Sequence, residues 1–171
     1  HGGGPWPWMK PQMGGTYDQL EASLARMPAD LGRTPRAVLM VSAHWEEAQF
    51  TVQTNPAPPM LYDYGGFPDF TYQIQYPAPG APDVAMRVRA VLADAGIASQ
   101  EDAARGFDHG MFSPMAVIYP KADVPVLQLS LKRGLVPADH LALGRALAQL
   151  RDEDILIIGS GLSYHRSEER R

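Results

Sequence analysis

Arg36-Ala-Val-Leu-Met-Val-Ser-Ala-His-Trp45 is the stretch on which the fold turns. Its centre is apolar without the polar alternation of a half-exposed strand, the pattern of a strand buried on both faces of a parallel sheet. The run from Arg36 to Ser42 ends at Ala43-His44-Trp45, so it delivers His44 at the strand's carboxyl end. Outward from it, Phe50 to Gln53 alternates like a short strand, Val124 to Leu131 reads as a second buried strand, and Asp154 to Gly159 as a third. Helical spacing occurs over Thr16 to Met27, with Thr16 as N-cap and Leu20, Leu24 and Met27 on one face. It recurs over Pro82 to Ala95, closed by Gly96, and over Pro137 to Leu150. Met111 to Tyr119 fits helix and strand equally. Strands alternating with helices predict an α/β fold with a mostly parallel central sheet and helices on both faces.

The segments between these elements are unusual. Gly2 to Gly4 with Pro5, Pro7 and Pro11 form a loop that holds Trp6 and Trp8, and Asn55 to Gly80 is a long loop rich in Pro, Gly, Tyr and Phe. Structureless loops of that length are mostly functional. His1-Gly-Gly-Gly-Pro5 reads as the loop that follows a buried strand, so a strand is expected ahead of His1 and further elements after Arg171. Residues 1–171 are expected to form one catalytic domain.

Composition narrows the function. The chain has 171 residues, 45% hydrophobic and 20% charged, a balance that suits a globular domain. No apolar run reaches the roughly 18 residues of a transmembrane helix. The net charge of -4 and the lack of a Lys/Arg cluster give no footprint for nucleic acid or an acidic membrane surface. No charged start followed by an apolar stretch is present, which makes a cytoplasmic location the expectation. With no cysteine, thiolate zinc sites, disulfides, thiol nucleophiles and iron–sulfur clusters all drop out. Any metal is left to His, carboxylate or water.

In open α/β sheets ligands bind beyond the carboxyl ends of the strands. His44 and His165 stand there, and His1 joins them if the preceding strand exists. Three neutral imidazoles with open positions suit a catalytic zinc or iron site. His109, between Gly106 and Gly110 and next to Asp108, is either a fourth ligand or an acid/base, and the residues leave both open. His140, within a helix, reads as solvated and receives no role. Tyr62, Tyr64, Phe67, Phe70, Tyr72 and Tyr76, with Trp6, Trp8 and Trp45, act either as hydrophobic pins or as a wall that stacks an aromatic substrate.

Five segments, taken in order, resemble the class III extradiol ring-cleavage dioxygenases of the LigB-like superfamily, specifically the group typified by 4,5-DOPA dioxygenase. They are His1 to Pro5, Ser42 to Trp45, Tyr62 to Pro68 with Tyr76 to Pro79, Gly106 to Gly110, and Gly159 to His165. The resemblance implies the family's α/β sandwich, metal ligands His1, His44 and His165, and His109 as acid/base with a ligand role still open. It further implies contacts to substrate from Trp45, Tyr62, Phe67 and Asp108. It also implies Fe(II) for activity, with Zn(II) suited to the same ligands, and a small aromatic diol and O2 as substrates. The protocatechuate-cleaving relatives complete the site with a glutamate, for which Glu168 and Glu169 are the candidates. Oligomeric state, monomer or homodimer, is not indicated.

Three other readings compete. His1-Gly-Gly-Gly4 matches an esterase oxyanion string, but the Gly-x-Ser-x-Gly elbow is missing around Ser160. A zinc-dependent hydrolase would use the same histidines, and a non-redox binding protein on the same fold would not need them.

Overall fold

The computed structural model describes residues 1–161. The chain begins with a 3-10 turn at Trp6–Trp8, a single helical turn α1 (Lys10–Met13) and helix α2 (Asp18–Leu31). Strands β1 (Ala37–Glu47) and β2 (Phe50–Gln53) follow, then helix α3 (Pro82–Asp94), strand β3 (Ser99–Asp102), helix α4 (His109–Ile118), strand β4 (Val126–Lys132), helix α5 (Pro137–Leu147) and strand β5 (Ile155–Ser160). The sheet order is β3-β2-β4-β1-β5. β1 runs parallel to β4 and β5, and β2 parallel to β3; the seam between β2 and β4, at Val52 and Leu129, is antiparallel. The sheet is therefore mostly parallel, as the apolar runs predict.

β1 alternates so that Ala37 and Leu39 face one side while Val38 and Met40 face the other, all fully buried. The first side packs under α3 and α5 through Val84, Val88, Leu92, Leu143 and Leu147. The second packs under α4 through Met111, Phe112 and Met115, with Leu24 and Met27 of α2 at its margin. Helices thus cover both faces. No helix among the described residues is long and apolar enough to cross a membrane.

Several boundaries differ from the sequence reading, each for a physical reason. α2 starts two residues after Thr16, whose hydroxyl donates to the Met13 carbonyl and so closes the preceding turn. The segment read both ways, Met111 to Tyr119, is helix as far as Ile118, its start capped by the Asp108 carboxylate, which accepts the Met111 N–H. α4 is buried almost all round, which erases the amphipathic period that marks a surface helix. β3, Ser-Gln-Glu-Asp, lies at the sheet edge and has no hydrophobic pattern to betray it.

β1 also continues past the expected end. Its pairing with β4 shifts register between Val41 and Glu46, so His44 lies in a bulge of the strand and not beyond it. Bulges re-aim side chains and are common beside active sites.

Candidate metal centre

His44 projects from the β1 bulge, His109 opens α4, and His1 precedes the Gly-rich turn. Ligand nitrogens of the three lie within 4.8 Å of one another, the one such group among the described residues that contains these histidines. His1 and His109 are buried and His44 is half-buried. The His44 and His1 Nε2 atoms are 3.3 Å apart. Two imidazoles on one tetrahedral metal, with bonds of about 2.0–2.1 Å, bring their nitrogens to about 3.3–3.4 Å. The His44 and His109 rings are 4.0 Å apart between centroids, and His1 meets both edge-on.

Local sequence explains the convergence. Gly2 and Gly4 have positive φ, and a Cβ on either would strike Trp6 or Phe67. That tight turn lets Trp6 donate its indole N–H to the His1 carbonyl and Ser113 of α4 donate to the Gly4 carbonyl. At Gly110 a Cβ would fall 2.6 Å from Ser42 Oγ and 3.1 Å from the His44 ring, so only glycine lets α4 approach the bulge.

The rings also have defined tautomers. His1 Nδ1 faces the Gly2 carbonyl, to which it can only donate. His109 Nδ1 donates to Asp63 Oδ1 at 2.9 Å, and the same oxygen accepts the His109 backbone N–H at 2.9 Å. His44 Nδ1 is 3.5 Å from the other oxygen, Asp63 Oδ2. With Nδ1 protonated, each ring presents the Nε2 lone pair that metal binding or base catalysis requires. His109 Nε2 is buried and has no hydrogen-bond partner. A buried nitrogen left so is costly unless a ligand meets it. The residues present therefore fit a divalent metal.

Asp63 carries weight that the sequence reading did not assign. Its side chain is only 18% exposed. Burial opposes its ionisation, but the hydrogen bond and charge of His109, together with His44, outweigh that and hold the carboxyl below its ordinary range. The carboxylate that orients His109 is thus Asp63 and not the adjacent Asp108.

Other expected residues separate. Asp108 is fully buried, accepting from Ser42 Oγ, Arg105, Gln128 and the Met111 N–H. It holds the turn together and has no oxygen to spare for substrate. Trp45 is 2% exposed, donates to Glu47 and lies under the Arg105 guanidinium, 4.3 Å from the ring centroid. This is a cation–π contact inside the fold. Tyr62 donates to the Ile74 carbonyl and packs on Phe112, a pin for the long loop. The ring beside His109 is Tyr64, at 5.8 Å between centroids, and Phe67 packs on Tyr64 at 5.3 Å. His140, read as solvated, is half-buried instead: it accepts the Lys132 N–H, donates to the Val136 carbonyl and meets Phe50 edge-on, joining β4 to α5. His165, Glu168 and Glu169 lie outside the described residues.

Comparison with known proteins gives a consistent result. Residues 9–171 match the family described as the catalytic LigB subunit of aromatic ring-opening dioxygenase. The chain is 40% identical to dioxygenase tasH of Hapsidospora irregularis over 172 residues, covering 96% of this chain and 52% of that protein. It is 46% identical to the 4,5-DOPA dioxygenase extradiol of Beta vulgaris over 136 residues, 79% of this chain and 51% of that one. A crystal structure of an uncharacterized Escherichia coli K12 protein superposes with a TM-score of 0.70 at 35% identity, covering 86% of this chain and 54% of that chain. The chain spans about half the length of the curated relatives it matches.

Proposed function

Because the chain belongs to the family of the catalytic LigB subunit of aromatic ring-opening dioxygenase, we propose that it carries the metal centre of an extradiol dioxygenase that opens a catechol-type ring with O2. The observation that carries this reading is the 3.3 Å approach of the His1 and His44 Nε2 atoms, beside the partnerless, buried Nε2 of His109. His1 and His44 would hold the metal, with His165 as the third ligand. Fe(II) bound there supplies Lewis acidity and the redox chemistry of dioxygen, whereas Zn(II) supplies Lewis acidity alone.

The chain's own groups do the rest. His109, its Nδ1–H donated to Asp63, offers Nε2 to take a catechol hydroxyl proton. The resulting imidazolium stays paired with the Asp63 carboxylate. Tyr64 and Phe67 give an aromatic surface beside His109 against which a planar ring stacks. That aromatic surface favours a catechol over the substrate of a zinc hydrolase, which needs no such wall.

One observation favours a second role for His109. Its ligand nitrogen lies within 4.8 Å of those of His1 and His44, so it also has the position of a ligand. Oxygen uptake by Fe(II)-loaded protein against a panel of catechols tests the main reading, the expected result being consumption of O2 with a yellow ring-opened product. His44→Ala should remove the metal by elemental analysis. His109→Gln should keep it while lowering turnover at least roughly a hundredfold, the low end for a general acid–base group. Loss of metal from His109→Gln would make His109 a ligand, and absence of O2 uptake with every catechol would sink the dioxygenase assignment.

A further inference from the structure

We infer that Asp63 is the positioning residue of the site, a single carboxylate that sets the orientation and tautomer of His109 and steers His44 toward the same point. The inference rests on the functional reading above for its consequences, but not for its geometry. Asp63 stands in the long loop between β2 and α3, far in sequence from both histidines. Main-chain bonds from Leu61 to Phe107 and from Phe107 to Pro59 lay this loop along the segment that leads into α4. At Gly106 a Cβ would come within 2.5 Å of the Pro59 carbonyl, so the seam closes only on glycine. Tyr62 and Tyr64, the neighbours of Asp63, are tied by their hydroxyls to the Ile74 and Thr71 carbonyls farther along the same loop. The carboxylate is therefore fixed from both sides before it meets a histidine.

Its contacts are divided. Oδ1 accepts two N–H groups of one residue, the backbone and Nδ1 of His109, which fixes the ring against its own backbone. Oδ2 faces His44 Nδ1 at 3.5 Å, a looser contact whose sign still matters. A carboxylate accepts at both oxygens and so requires a proton on Nδ1 of both rings; no neutral side chain makes the same demand. Asparagine could still accept from His109, but its amino group would then confront the His44 Nδ1–H, two donors opposed. Alanine would leave His109 Nδ1 without a partner and free the ring to take the other tautomer.

The test compares wild type, Asp63→Ala and Asp63→Asn by long-range proton–nitrogen-15 spectra of the histidine rings, Zn(II) titration, and steady-state kinetics with a catechol. Wild type should show His109 and His44 as Nδ1–H tautomers. In Asp63→Ala, His109 should pass partly or wholly to the Nε2–H form, and kcat should fall about 10–100-fold with KM unmoved, the usual range for a group that orients a ligand or base. Asp63→Asn should keep the His109 tautomer and weaken Zn(II) binding about 10–100-fold. An Asp63→Ala protein that unfolds at lower temperature, yet keeps both tautomers and its kcat, would reduce Asp63 to a structural tie and overturn the inference. Wild-type spectra with the Nδ1–H forms present but neither metal binding nor catechol turnover would instead remove the dioxygenase reading and leave the role of Asp63 standing.

Discussion

The two faces of the sheet are built from different chemistry. Beneath α3 and α5 the contacts are aliphatic: Leu39, Val52, Leu127 and Leu129 meet Val84, Val88, Leu92, Leu143 and Leu147. Beneath α4 the core mixes Phe107, Phe112, Tyr76 and methionines with a buried polar chain of Gln53, Gln128, Asp108 and Ser42, which ends beside His44. Apolar burial is non-directional and forgives small errors of placement, whereas a satisfied polar network fixes one geometry and penalises every other. Both faces stabilise the fold through buried apolar side chains. The face under α4 also holds the ligand atoms of three imidazoles within 4.8 Å of one another.

The comparison breaks most sharply at Asp108. Asp108→Asn replaces one of the oxygens that serve Ser42, Arg105 and Gln128 by a donor, and it leaves Arg105, 14% exposed, without its charge partner. Removing one member of a buried pair costs about 3–5 kcal/mol. Because the same carboxylate caps α4 at His109, chemical denaturation should show the lost stability and Zn(II) titration a weakened site together. Stability lost with unchanged metal affinity would show that the polar chain is scaffold only.

Leu92→Ala is the counterpart on the aliphatic face. Leu92 is fully buried, and such a truncation costs about 2–5 kcal/mol according to how far the neighbours collapse. Metal affinity and the ratio of kcat to KM should stay at the wild-type values below the unfolding range. A change in either would mean that packing under α3 reaches the histidines through β1, and that the two faces are not independent.

The same division decides what could be read from the sequence. β1, β4 and β5 announce themselves as unbroken apolar runs and α3 and α5 by their helical period, and His44 and His109 stand out as histidines set in glycine- or strand-bounded positions. Asp63 does not, since its partners are 46 residues away for His109 and its bond to them follows from the Pro59–Phe107 seam, which leaves no periodic trace. The available signal was an acidic residue enclosed by aromatics in Tyr62-Asp-Tyr64. Trp45 and Asp108, for which the resemblance implies substrate contacts, each stand next to a histidine, but in a strand or at a helix cap the neighbouring side chain points elsewhere. The bulge at His44 was likewise invisible, because it depends on where β4 pairs with β1.

Tyr64 gives the smallest effect and the finest test of the chemical face. Burial raises its phenol to about 12, and the nearby Tyr62, Tyr72 and Asp63 add to it. A raised pKa in the folded state favours the neutral form, so the associated stability is complete below the ordinary value of about 10 and disappears as pH rises through about 12. Tyr76, whose hydroxyl donates to the Tyr119 carbonyl, is raised in the same sense on the same face, again chiefly by burial. Tyr64→Phe should lose about 0.5–1.5 kcal/mol at neutral pH for the bond to Thr71. In return, its thermal midpoint should fall less steeply than that of wild type between about pH 9 and about pH 12. The ring contact with His109 survives this substitution, so kcat at neutral pH should change far less than in Asp63→Ala. An alkaline slope identical to wild type would place the sensitive group elsewhere, with Tyr76→Phe the next variant to measure.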